Sequence, residues 1–211
     1  MNISIVVPVY NSSSIIEELT KDILSAIKQI SDVSKIQLIL VNDCSTDESW
    51  KKISKLSDEY KETVLGINLM KNYGQHNAIM AGLKLANGDY ILLIDDDYQH
   101  PPKEIPKILS KIREGFDVCY TNYKNNTYSK FKIFGSWINK KISNILIDKP
   151  KSIYLSSYKC INQKVLREII KYDGPFVYID GLIFDITKNV TSVDIEHSER
   201  KLGKSNYNIF K

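Results

Sequence analysis

Residues 94–102 read Ile-Asp-Asp-Asp-Tyr-Gln-His-Pro-Pro, directly after the apolar run Tyr90-Ile91-Leu92-Leu93. The run predicts a buried strand, so Asp95 and Asp97 fall at its exposed end, where two hard oxygen ligands can share one divalent cation. Three adjacent carboxylates repel one another unless a cation or solvent relieves them. A solvated acidic turn is the plain alternative; a metal and phosphate site is the chemical one.

The elements that must position these acids follow from periodicity. Short β-branched runs alternate with longer amphipathic segments through the first half, the pattern of a mostly parallel sheet covered by helices. Strands are predicted near 3–9, 36–42, 63–69, 90–95 and 117–122, and helices near 14–30, 46–59, 74–86 and 104–115. Ser45 or Thr46 can cap the second helix, and Asn87-Gly88 can close the third. Asn11, Asp43, Asn72 and Asp95 all follow predicted strands, and open α/β sheets collect ligands outside the carboxyl ends of their strands.

After residue 122 the alternation weakens, and Asn122-Tyr123-Lys124-Asn125-Asn126-Thr127 reads as a loop. Between residues 130 and 147, Phe134, Trp137, Ile138, Ile142 and Ile145 recur at helical spacing among Lys130, Lys132, Lys140 and Lys141. That stripe fits a helix covering the sheet or a basic amphipathic surface resting in a membrane interface.

The 211 residues, 43% hydrophobic and 26% charged, suit one globular domain. A net charge of +4 is too modest to announce a nucleic-acid partner. Cys44, Cys119 and Cys160 are odd in number and lack a zinc rhythm, which predicts free thiols in a reducing compartment. With no basic leader and no apolar stretch of about 20 residues, the expected location is cytoplasmic.

Val6-Val7-Pro8-Val9-Tyr10-Asn11, then Val41-Asn42-Asp43-Cys44-Ser45-Thr46-Asp47, then Ile94-Asp95-Asp96-Asp97 stand in chain order. Together they resemble the inverting family 2 glycosyltransferases of the GT-A fold. The resemblance implies one α/β domain over 1–211, with residues 1–122 holding nucleotide-sugar and metal and residues 123–211 facing the acceptor. It implies nucleotide contacts from Pro8, Tyr10, Asn11, Asp43, Asp95 and Asp96, and a DxD pair in Asp95 and Asp97 that binds Mg²⁺ or Mn²⁺. Asp43 can accept from a base N–H or a ribose hydroxyl, or it can serve as a turn or helix cap. Cys44 departs from the glycine common in the family, which predicts a different turn.

Lys71-Asn72-Tyr73-Gly74-Gln75, Gln99-His100-Pro101-Pro102 and Arg200-Lys201-Leu202-Gly203-Lys204-Ser205-Asn206-Tyr207 narrow the likeness. They resemble the polyprenyl-phosphate glycosyltransferases, the group of dolichol-phosphate mannose synthases and undecaprenyl-phosphate sugar transferases. That implies Gln99 at the metal, Asp97 and Arg200 in catalysis, and Arg200, Lys204 and Ser205 on phosphate. Lys159 stands where this group often has Arg, so it is expected on the acceptor phosphate as a point charge without bidentate geometry. The expected partners are a UDP-, GDP- or dTDP-linked sugar, a polyprenyl phosphate and a membrane surface. A homo-oligomer is compatible with this reading. The expected place is the inner membrane face, held peripherally or by transmembrane segments beyond this chain.

The acceptor chemistry fits a scarcity of bases. A phosphate monoester with a second pKa of about 6 is largely anionic at neutral pH and can attack without a strong base. A sugar-hydroxyl acceptor, the enzymatic rival, needs one, and Asp180 before Gly181 is the candidate; a structural turn there is the plainer alternative. His76, His100 and His197 form no recognisable zinc set and are expected in packing or substrate contacts. A non-enzymatic nucleotide-sugar scaffold is disfavoured by the complete Asp-x-Asp-x-Gln set. A dehydrogenase is disfavoured because no G-x-G-x-x-G follows the first strand.

Overall fold

The computed structural model describes residues 1–123, 150 and 153–196. Seven strands form one sheet: β1 (Asn2–Val9), β2 (Lys35–Asn42), β3 (Val64–Asn68), β4 (Tyr90–Leu93), β5 (Val118–Tyr123), β6 (Lys159–Asn162) and β7 (Val190–Ile195). Between them run α1 (Ile16–Lys28), α2 (Ser49–Glu59), α3 (Gln75–Leu83), α4 (Ile105–Ile112), α5 (Gln163–Ile169) and α6 (Ile179–Ile186). All nine elements expected in the first half are present. β6, α5, α6 and β7 are additions. The basic amphipathic stretch at 130–147 lies outside the described residues.

The sheet order is β3-β2-β1-β4-β6-β5-β7. β1 pairs in parallel with β2 and β4, β2 with β3, and β5 with β7, whereas β6 runs antiparallel to both β4 and β5. β1 is buried from Ile3 to Val9, as a central parallel strand covered on both faces must be. Its alternation divides the core. Ile3, Ile5, Val7 and Val9 pack with residues of α1, α2 and α4, while Val6 packs with residues of α3, α5 and α6.

Local chemistry explains the joints. Pro8 lies beyond the stretch where β4 pairs with β1, which ends at Val6 opposite Leu93, so its missing N–H removes no ladder bond there. α1 opens with Glu17 and Glu18 and ends with Lys28, signs that suit the helix dipole. α5 is capped by the Asn162 side chain, which accepts from the Val165 N–H at 3.0 Å.

Two expected caps are corrected. Ser45 and Thr46 do not cap α2; Asp47 accepts instead from the Ser49 N–H at 3.0 Å while also accepting from the Ser13 N–H. Gly88 lies beyond the end of α3 and serves close packing, since a Cβ there would meet the Ser4 nitrogen at 2.5 Å.

Candidate functional site

The carboxyl ends of β1, β2 and β4 share one edge because these strands are parallel. β6 is antiparallel, so its beginning reaches the same edge, with Lys159 opposite Leu93. The loops after β1, β2 and β4, the start of α3 and the segment before β6 therefore converge. A cavity of about 310 Å³ opens among them, lined by Asp95, Gln99, His76, Ser157, Lys159 and Asp180, among others.

The residues expected on the nucleotide form a stitched frame. The Tyr10 N–H donates to Asp96 Oδ2 at 3.0 Å, and the Ser12 hydroxyl donates to the same oxygen. Asn11 Oδ1 accepts from the Thr46 N–H at 2.9 Å, and the Asn11 N–H donates to Ser45 Oγ at 3.0 Å. Asp43 is buried, and its two oxygens accept from the N–H groups of Tyr73 and Gly74 at 2.8 and 2.9 Å. That carboxylate holds the entry to α3. Tyr10 presents an exposed ring at the edge, whereas Pro8 is buried within β1.

Three non-glycine residues here take left-handed backbone: Asn11 at φ 55°, Cys44 at 56° and Tyr98 at 60°. The turn expected to change shape at Cys44 thus retains the conformation glycine favours, at an energetic cost. Tyr98 is anchored by its hydroxyl, 2.8 Å from Asp22 Oδ2.

Asp95 sits at the centre. Gln75 Nε2 donates to Oδ1 at 2.6 Å, the Ser157 hydroxyl donates to Oδ2 at 2.5 Å, and His100 Nε2 lies 3.3 Å from Oδ2. Burial alone would raise its carboxyl, but His100, Ser157 and Lys159 outweigh that and hold it below the ordinary value. Asp96 shows the opposite balance. Burial, aided by the charges of Asp95 and Asp97, lifts it to about 6 against the hydrogen bonds from Ser12 and Tyr10. Asp97 Oδ1 accepts from the Gln99 N–H at 3.0 Å.

Among the described residues no three His, Cys, Asp or Glu converge into a ready metal cage. Asp95 and Gln99 both line the cavity, and Asp97 stands between them in the chain; carboxylate and amide oxygens are the ligand types that Mg²⁺ and Mn²⁺ take.

Deeper in the cavity, Lys159 and Asp180 form a buried ion pair, with side chains 4% and 10% exposed. Tyr120 donates its hydroxyl to Asp180 at 2.9 Å, and the Lys159 ammonium lies 5.0 Å from the centre of the Tyr120 ring. The two residues expected on acceptor phosphate and as a base are therefore engaged with each other. Arg200, Lys204 and Ser205 lie outside the described residues, as does His197.

His76 and His100, expected in packing or substrate contacts without an assigned role, both line the cavity. His100 is buried and bridges Asp95 to Ser157, whose Oγ is 3.0 Å from Nε2. His76, in the first turn of α3, lines the cavity and meets Tyr178 edge to face at 5.3 Å. Its position two residues after Gly74, in the helix start that follows the polar loop after β3, is the signal in the chain.

The profile of "Glycosyl transferase family 2" matches residues 4–170. An undecaprenyl-phosphate 4-deoxy-4-formamido-L-arabinose transferase of Photorhabdus laumondii is 32% identical over 213 residues, covering 99% of this chain and 64% of the relative. One from Salmonella choleraesuis is 34% identical over 215 residues, covering 99% and 63%. This chain thus spans a little under two thirds of those relatives.

Among solved structures, Mycobacterium tuberculosis glucosyl-3-phosphoglycerate synthase with Mn²⁺, UDP-glucose and phosphoglyceric acid superposes with a TM-score of 0.63 at 18% identity, covering 96% and 72% of the two chains. Its UDP complex gives 0.66 at 18% identity, covering 97% and 73%. These likenesses place the sheet and its helices in the GT-A fold. The profile match over residues 4–170, most of the chain, shows that the protein belongs to glycosyl transferase family 2.

Proposed function

We propose that this domain transfers a sugar from a nucleotide donor to a polyprenyl phosphate with inversion at the anomeric carbon. The observation that carries the acceptor assignment is the engagement of Asp180. The carboxylate nominated as a base is buried against the Lys159 ammonium and the Tyr120 hydroxyl. His76 is a weak base, because burial outweighs the pull of Asp180 and Asp95 and holds its imidazole below the ordinary value. A nucleophile already ionised suits such a site, and a phosphate monoester is one. The Photorhabdus and Salmonella relatives, undecaprenyl-phosphate 4-deoxy-4-formamido-L-arabinose transferases, agree in acceptor class and favour a 4-formamido pentose as the sugar.

In the reaction, a phosphate oxygen of the acceptor attacks the anomeric carbon opposite the departing nucleoside diphosphate. One C–O bond forms as the other breaks. Asp95, Asp97 and Gln99 would hold Mg²⁺ or Mn²⁺, which when bound offsets the charge of the leaving diphosphate. Gln75, His100 and Ser157 orient Asp95 for that task. Tyr10 offers its exposed ring to the base, and Asp43 holds the loop beside it. With Lys159 paired, acceptor phosphate falls to Arg200, Lys204 and Ser205.

Among the described residues no helix is long and apolar enough to cross a membrane. The reading puts the domain at the cytoplasmic membrane face, where its lipid acceptor is accessible.

The test supplies a radiolabelled UDP-sugar with either undecaprenyl phosphate or an alkyl glycoside, with Mg²⁺, Mn²⁺ or EDTA. A metal-dependent lipid-phosphate product supports the proposal. Transfer confined to the glycoside hydroxyl would return Asp180 to the role of base.

A further inference from the structure

Between the Asp95 end of the cavity and the Lys159–Asp180 pair lies an imidazole that the proposed mechanism does not use. His76 lines the cavity, and the charged groups acting on it are Asp180, Lys159 and Asp95. Its Nδ1 is enclosed by protein and has no hydrogen-bond partner among the described residues. Such an orphan costs about 1–3 kcal/mol, a penalty a bound ligand can remove by supplying the partner. The ring is held from one side by the edge-to-face contact with Tyr178, so its position is fixed while its hydrogen bonding is incomplete. A half-turn about the Cβ–Cγ bond exchanges Nδ1 with Cδ2 and Nε2 with Cε1, so Nδ1 can leave its enclosed position to meet a ligand.

The surrounding chemistry narrows the ligand. Lys159 and Asp180 cancel each other's charge, and a neutral imidazole adds none. This inner end is therefore suited to a neutral polar ring and poorly suited to a second phosphate, which would ask for unpaired cations. A volume of about 310 Å³ is at the small end of ligand pockets. The start of α3 also places His76 one residue after Gln75, whose amide holds Asp95, and both residues line the cavity.

We propose that His76 is a specificity-determining residue that hydrogen-bonds a neutral oxygen substituent of the transferred sugar, a hydroxyl or an amide carbonyl, at the inner end of this cavity. The inference rests on the nucleotide-sugar reading of the same site. It assigns the cavity's inner end to the sugar and leaves the acceptor phosphate outside it.

Calorimetry without acceptor tests it, because a residue acting only as a base on the acceptor leaves donor binding alone. The titrants are UDP, UDP-L-arabinose and UDP-4-deoxy-4-formamido-L-arabinose, each with Mn²⁺, against wild type, His76→Phe and His76→Asn. Phe keeps a planar ring without hydrogen bonding; Asn keeps a polar atom near the Nδ1 position. Thermal melts establish that both variants are folded.

At least one sugar nucleotide should bind wild type about tenfold more tightly than UDP, which corresponds to roughly 1.4 kcal/mol. His76→Phe should reduce that advantage to within about twofold while UDP affinity stays the same, and His76→Asn should recover part of it. A full sugar advantage in folded His76→Phe or, should Phe fail to fold, an unaltered advantage and sugar preference in His76→Asn, overturns the assignment while leaving the donor reading intact. Wild type that binds UDP but favours neither sugar nucleotide overturns the assignment, and wild type that binds none of the three titrants refutes a uridine-linked donor and the assignment with it.

Discussion

Replacing Lys159 by Met separates a buried structural ion pair from a lysine held ready for phosphate. The Lys159 and Asp180 side chains are 4% and 10% exposed, and removing one member of such a pair strands the other charge, at about 3–5 kcal/mol. Asp180 would keep the Tyr120 hydroxyl, so the lower end, about 3 kcal/mol, is expected for Lys159→Met. For a chain of this length that corresponds to a fall in Tm of roughly 6–12 °C. Asp180→Asn should cost a similar amount by stranding the ammonium. The double variant Lys159→Met/Asp180→Asn should lose much less than the sum of the two, with a coupling of about 2 kcal/mol. Urea unfolding at neutral pH, followed by circular dichroism and fluorescence together, measures all four corners of the cycle. Additive losses, or a Lys159→Met protein as stable as wild type, would refute the claim that the two charges depend on each other. Lys159 would then be available to the acceptor.

Cys44→Gly should stabilise the protein by about 0.5–1 kcal/mol, because relief of roughly 1–2 kcal/mol of left-handed strain exceeds the entropic cost of glycine; a higher urea midpoint at unchanged slope checks it. Gly88→Ala should destabilise by roughly 2–3 kcal/mol, since its Cβ would press on Ser4, Ile3 and Tyr90 backbone atoms rather than on a yielding side-chain tip. An unchanged melting temperature would contradict that. Asp97→Ala should lower transfer roughly a hundredfold, about 3 kcal/mol of transition-state stabilisation, with little change in unfolding free energy. EDTA should reproduce the loss, and wild-type turnover in either condition would remove the metal from the mechanism.

What could be read along the chain was whatever depended on near neighbours. Ile5 to Val9 and Leu38 to Val41 are uninterrupted apolar runs, and their burial within a parallel sheet follows from that, whereas the burial of Ser4 does not. The strand-end positions of Asn11, Asp43 and Asp95 follow in turn. β6 was not legible, because Lys-Cys-Ile-Asn is short and begins with a charge whose burial depends on Asp180, 21 residues later. The roles of Asn11 and Asp43 were legible as location but not as bonding. Asp43 meets Tyr73 and Gly74 only once β2 and α3 are brought together. Cys44 shows the limit from the other side: tertiary ties to the surrounding loops hold a backbone conformation that its residue type disfavours.

The antiparallel strand β6 also sets a schedule for synthesis. It is the strand that pairs with both β4 and β5, yet it follows β5 in the chain by a long excursion. A nascent chain that has released Tyr123 must emit 39 more residues, 162 minus 123, before β6 is complete. At about 5–20 residues per second that interval lasts roughly 2 to 8 seconds. Throughout it, the facing edges of β4 and β5 have no β6 to pair with, and unpaired apolar edges invite association with other chains. The late strand that brings Lys159 to the cavity is thus also the keystone of the sheet, and ribosome-bound intermediates ending before residue 162 are where chaperones would be needed most.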